Sequence, residues 1–105
     1  MSQFIPIRDV LGDPNKFSWA DSLFLPENED WNLDSPSAII NMDDLAHDEE
    51  APQFAIDNGL VHVLNISEVQ DIVSNARQQR ADCTLNDLIS AFLFYYRHDA
   101  FISFD

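Results

Sequence analysis

Between Lys16 and Arg77 the chain holds no lysine or arginine, yet the same interval carries Asp21, Glu27, Glu29, Asp30, Asp34, Asp43, Asp44, Asp48, Glu49, Glu50, Asp57, Glu68 and Asp71. Any fold open to this sequence must hold many carboxylates near one another on a small body and accept their mutual repulsion. Across all 105 residues, 19 Asp and Glu against 5 Lys and Arg give a formal charge of -14. A basic counterpart is the expected partner.

The length fits a single domain spanning residues 1–105, with one modest core. Strong acidity often accompanies disorder, but eight Phe, two Trp and two Tyr supply the apolar bulk that disordered chains lack. The start, Met1-Ser2-Gln3-Phe4-Ile5-Pro6, shows neither the positive leader nor the apolar run of a secretory signal, and no later stretch approaches membrane-spanning length. A soluble, cytoplasmic, monomeric protein is therefore expected. A surface this negative repels phosphate backbones and anionic lipid, so neither nucleic acid nor membrane is expected as a direct partner. Proteins that themselves bind nucleic acid are attracted.

Composition shifts near residue 60 from loop-rich and acidic to regular and amphipathic. In the first part, a short helix is predicted over Arg8 to Leu11, with Pro6 near its start and Gly12 as its stop. Ser22-Leu23-Phe24-Leu25, closed by Pro26, reads as a strand, with Trp19 before it assigned to the core. Residues 27–36 are rich in turn formers and read as a surface loop. A second strand is predicted from Ser37 to Met42, which places Asp43 and Asp44 at a strand end. Pro52 to Asn58 fits a short helix: Glu49 and Glu50 suit its positive start, and Gly59 suits the left-handed position after its end. Leu60 to Leu64 is apolar on both faces except at His62, and so predicts a central strand.

The last third is the most regular. Val69, Ile72, Val73 and Ala76 fall at helical spacing between Glu68 and Arg80, with Ser67 and Gln70 as a capping-box pair and Arg77 and Arg80 near the negative end. Thr84 and Asp87 repeat the cap pattern ahead of a second helix that ends near Arg97, with Leu85, Leu88, Ile89, Phe92 and Tyr96 as its buried stripe. The predicted class is α+β: a small, about three-stranded, mainly antiparallel sheet packed against two C-terminal amphipathic helices.

Chemistry-bearing patterns are sparse. With two glycines the chain cannot build a phosphate-cradling loop, and no Gly-x-Ser-x-Gly elbow is present. His47, His62 and His98 lack metal-ligand spacing; His62 reads as a hydrogen-bonded core histidine and His98 as a favourable charge at a helix end. Asp43, Asp44, Asp48, Glu49 and Glu50 do not follow the EF-hand order. Cys83 has no partner for an internal disulfide and reads as a small filler near a helix start. No catalysis, cofactor or metal is expected. The acids are either a solvated face or a protein-binding surface. Trp31, amid Glu27, Glu29, Asp30 and Asp34, is either an interface anchor ringed by steering charges or an indole that the loop folds back into the core.

Along most of its length the chain resembles a family of small acidic bacterial immunity proteins found beside contact-dependent and polymorphic toxins. The resemblance runs through Trp19-Ala20-Asp21-Ser22-Leu23-Phe24-Leu25-Pro26, Asn58-Gly59-Leu60-Val61, Gln70-Asp71-Ile72-Val73-Ser74-Asn75-Ala76-Arg77 and Asp82-Cys83-Thr84-Leu85. It implies a toxin-neutralising role and assigns no functional residues. The physical logic agrees, because a nuclease presents a basic cleft that an inhibitor rich in carboxylates both finds quickly and occludes. The expected partner is a cognate toxin domain, a basic nuclease acting on RNA, including tRNA, or on DNA. The expected contacts are Glu27, Glu29, Asp30 and Trp31 in the first loop and Asp43, Asp44, Asp48, Glu49 and Glu50 in the second. The alternative is a nucleic-acid mimic that inhibits host or restriction enzymes.

Overall fold

The computed structural model describes residues 4–27, 31–41 and 53–104. In chain order the elements are β1 (Ile5–Pro6), α1 (Ile7–Gly12), a 3-10 turn (Pro14–Lys16), β2 (Ser22–Pro26), β3 (Pro36–Ile40), α2 (Gln53–Asp57), β4 (Leu60–Asn65), α3 (Ile66–Gln79) and α4 (Leu85–His98). The strands form one antiparallel sheet in the order β1-β3-β2-β4. The α+β class holds, with four strands where about three were expected. The additional strand, β1, is a dipeptide paired to Pro36 and Ser37, too short to leave a periodic signal.

β2 is the central strand, pairing Ser22, Leu23 and Phe24 with β3 and all five of its residues with β4. Its alternation sends Leu23 and Leu25 toward the helices and Phe24 toward the opposite face. β4 therefore lies at an edge, against the expectation of a central strand. The physical reason is a bulge: Leu23 pairs with Leu64 and Phe24 with His62, leaving Val63 as the extra residue. Val63 and Leu64 both join the helix-side core, so the segment looks apolar on two faces while its ring of exposure is at His62. The hydrogen bond foreseen for His62 is present, to Asn65 Oδ1 at 3.1 Å, but the side chain is exposed rather than buried.

Three helices cover the first face of the sheet. Ile7, Val10 and Leu11 of α1, Val69, Ile72, Val73 and Ala76 of α3, and Leu88, Ala91 and Phe92 of α4 form one core with Leu23 and Leu25. The starts of α3 and α4 carry capping boxes. At α4 the predicted Thr84–Asp87 box is present, each side chain accepting the other's backbone N–H at 3.1 Å. At α3 the box belongs to Asn65 and Glu68, three residues apart as the motif requires but two positions before the predicted Ser67–Gln70 pair. Gln70 is instead spent on tertiary contact, donating to the carbonyls of Pro14 and Phe17 at 3.3 and 3.2 Å. Leu85, predicted for the buried stripe, is 38% exposed because it opens the helix at the rim of the core.

On the second face, Phe24, Ala38 and Leu60 pack with Ala55 of α2, joined by Phe4, Ile40 and Phe54. Gly59 follows α2 at φ 67°, the left-handed conformation that suits glycine. After α4 the chain turns at Asp99, also left-handed, and residues 101–104 lie along α3. Gln79 grips that segment by donating to the Ile102 carbonyl at 2.7 Å and accepting from the Phe104 N–H at 3.1 Å, while Arg80 lies over the Phe104 ring.

Phe92 is fully buried where α4 meets the rest of the core. Phe92→Ala is expected to lower the unfolding free energy by about 3–5 kcal/mol, through lost transfer energy and the cavity it leaves. Urea denaturation of the two proteins checks this; a loss under about 1 kcal/mol would place the residue outside the core.

Candidate protein-binding surface

Of the expected contact residues, Glu27 and Trp31 lie within the described structure and occupy opposite environments. Glu27 is exposed directly after β2, with its backbone N–H donating to the Gly59 carbonyl at 3.1 Å. Trp31 is 6% exposed. Its ring meets Tyr96 edge-on with centroids 4.9 Å apart and Phe92 at 6.3 Å, and its indole N–H donates to the Pro26 carbonyl at 2.8 Å. Trp31 is thus folded into the core, a packing residue rather than an interface anchor. Both needs of a buried indole, apolar contact and a partner for its one donor, are met internally. Glu29, Asp30, Asp43, Asp44, Asp48, Glu49 and Glu50 lie outside the described residues.

The sheet separates the flanks of the two acidic segments. Glu27 leaves the end of β2 that pairs with Leu60, whereas Asn41 leaves β3 beside Ser22, at the other end of the same strand. Five residues of extended chain put these exits roughly 15 Å apart. The flank at Gln53 opens α2, which leads back to Gly59 and the Glu27 end.

Among the described residues two ion pairs form, Arg8 with Asp34 and Arg80 with Asp87. Both involve exposed or half-exposed groups and contribute little to stability. Arg77 donates to the Gly12 carbonyl at 2.9 Å, and the Lys16 ammonium sits 5.3 Å from the centre of the Phe17 ring. Glu68 caps α3 and accepts from the Tyr95 hydroxyl at 3.5 Å. Four of the five cations thus have local partners, and Arg97 is exposed in the last turn of α4.

No group of three or more His, Cys, Asp or Glu side chains that could hold a metal occurs among the described residues. The buried Ser22 hydroxyl donates to Asn65 Oδ1 at 3.3 Å, the same oxygen that meets His62, so this cluster anchors the start of α3 rather than activating a nucleophile. His98 packs its ring against Phe94, centroids 4.4 Å apart. Cys83 is half-buried with its thiol directed to the Ala76 carbonyl, as expected for a filler. Burial, and secondarily the Asp87 charge, push its pKa up. Burial, then Glu68, likewise raises Tyr95.

The sequence reading misses two surface features. Trp19, assigned there to the core, is 71% exposed. The turn that carries it packs Phe17 against the core instead, and the neighbouring Ser18 and Asp21 are its turn-forming residues. The second is an open groove of about 540 Å³ between Pro14–Asn15 and the polar stripe of α3, where Gln70, Asp71, Ser74 and Arg77 recur at helical spacing; its wall residue Gln70 binds the Phe17 carbonyl, two residues before Trp19.

A family model covers residues 4–104 and carries the description of a domain of unknown function, DUF7716. The chain belongs to the DUF7716 family. Comparison with curated proteins and with solved structures returned no match. The family boundary takes in every described element, from β1 to the segment held by Gln79 and Arg80, so the whole sheet-and-helix body is the family's unit. No described helix of this DUF7716 chain is long and apolar enough to cross a membrane.

The two tryptophans are expected to respond oppositely to truncation. Trp31→Ala should cost about 3–5 kcal/mol and Trp19→Ala no more than about 0.5 kcal/mol in urea denaturation; equal costs would contradict the burial described. The raised thiol and phenol make a second prediction. Above the ordinary cysteine value of 9.0, the unfolded chain loses protons that the folded one still holds, so stability falls as pH rises. Urea midpoints measured between about pH 8 and 11 should decline, and combining Cys83→Ala with Tyr95→Phe should flatten that decline.

Proposed function

We propose that this DUF7716 protein is an immunity-type binding protein that neutralises a basic toxin domain, a nuclease by preference, by laying carboxylates over its cationic cleft. The observation that carries the reading is the interval from residue 17 to residue 76 without lysine or arginine, which leaves a net charge of -14 uncompensated within the chain. Such a field raises the rate of encounter with a positively charged partner and rejects nucleic acid. The local engagement of Arg8, Arg77 and Arg80 is consistent with it, since these three cations are held by the protein's own groups. Inhibiting a lethal enzyme requires tight binding, and a nanomolar Kd corresponds to about -12 kcal/mol.

The contacts assigned to recognition are Glu27, Glu29 and Asp30 in the first segment and Asp43, Asp44, Asp48, Glu49 and Glu50 in the second; Trp31 is left out because it is buried. Cytoplasmic location and a monomeric free state belong to the same reading.

The test is to mix the protein with the toxin-like domain encoded beside its gene. A stoichiometric complex is expected, with an association rate that falls as salt rises and falls by roughly tenfold or more when the second segment's five acids are changed to Lys. Absence of a complex at low salt defeats the reading. Equal inhibition of several unrelated nucleic-acid-binding enzymes would replace it with that of a nucleic-acid mimic.

A further inference from the structure

We propose that the Trp19 turn and the adjoining groove of α3 form the seat of an arginine-rich segment of the partner protein, with the Trp19 indole as its aromatic anchor. This rests on the reading above that the partner is basic, and it locates a contact on described residues away from the two acidic loops.

Three observations converge on the turn. It contains two large aromatics and packs only Phe17 against the core, leaving Trp19, at 71%, the most exposed large apolar side chain among the described residues. A tryptophan so exposed is uncommon, and tryptophan is among the residues most enriched at binding hot spots. The turn is also fastened on both sides of the indole. Ala20 N–H donates to Ser18 Oγ at 3.2 Å, Asp21 N–H to the Ser18 carbonyl at 3.0 Å, and Ile66 N–H to the Asp21 carbonyl at 2.8 Å. The Gln70 amide holds the preceding Pro14 and Phe17 carbonyls. The ring is therefore presented on a preorganised mount, and little backbone freedom remains to be lost on binding.

The third observation is the neighbouring groove, lined on one side by Pro14 and Asn15 and on the other by Gln70, Asp71 and Ser74. Asp71 is an exposed carboxylate there, and the Gln70 amide is already taken, so the charge a ligand meets on this stretch of α3 is negative. Arg77, at the far end of the groove, is turned onto the Gly12 carbonyl and marks where a cationic ligand must stop. An arginine suits both features. Its guanidinium stacks on an indole face through the ring quadrupole and pairs with a carboxylate through its forked donors. The net charge of -14 favours that class of occupant over an acidic or neutral one.

The experiment is an NMR titration of the full ¹⁵N-labelled chain with an oligo-arginine peptide at low ionic strength. The Trp19 indole N–H and the backbone amides of Gln70 and Asp71 are expected to shift while the Trp31 indole N–H stays in place. Trp19→Ala should weaken binding about two- to fivefold, with Trp19→Phe retaining part of the affinity. An unmoved Trp31 resonance reports that these variants remain folded. Shifts confined to residues away from the turn and groove would overturn the seat while leaving the acidic-binder reading intact; no shift anywhere would overturn both.

Discussion

A carboxylate without a cation in reach must stay hydrated, because burying it unpaired costs more than any single contact in a small core returns. That constraint shapes the entire structure. Acids appear where water or a helix N-terminus receives them: Glu68 and Asp87 complete capping boxes, Asp34 meets Arg8 at the surface, and Glu27 sits at a strand exit. The buried set is correspondingly apolar. Its polar members are Ser22, Ser35 and Ser37, small hydroxyls that hydrogen-bond to nearby groups; Ser37, for instance, donates to the Ile5 carbonyl at 2.7 Å. A 105-residue chain can carry a charge of -14 because its core asks nothing of the charged residues.

Where the pattern is local and periodic, the fold was legible in the sequence. The spacing of Val69, Ile72, Val73 and Ala76 marked α3, the Thr84–Asp87 cap marked α4, and proline closed β2 at its observed end. The errors share one cause, tertiary competition between neighbours of similar chemistry. Asn65 and Ser67 both head a plausible capping box; Asn65 prevails because it also gathers Ser22 and His62. Phe17 and Trp19 lie two residues apart, and only the packing of α3 against the 3-10 turn decides which goes inside. β4 read as central because a bulge turns successive apolar residues to one face, an event invisible to a two-residue period. For the candidate site the sign of the charge was legible from composition, whereas the fate of Trp31 depended on contacts with Tyr96 and Phe92 some sixty residues downstream.

The exchange of roles between Trp19 and Trp31 bears directly on recognition. An indole contributes to a complex only if its contact area is still available, and Trp31 has committed both its ring and its N–H to the fold. Its burial instead fixes the chain at residue 31, as the Glu27 N–H bond to the Gly59 carbonyl fixes it at residue 27.

Steering and residence then fall to different parts of the surface. Long-range attraction depends on the summed charge and is weakened by salt over about 8–10 Å, so it orients a partner without holding it. Dissociation is resisted by groups that lose water on contact, and the described surface offers few of these: Trp19 and Ile56 are its most exposed large apolar side chains. Ile56 lies on α2, which leads into Gly59 beside the Glu27 exit, while Trp19 lies at the Ser22 end. On the proposed reading, two apolar points at opposite ends of the central strand favour a partner broad enough to span the sheet.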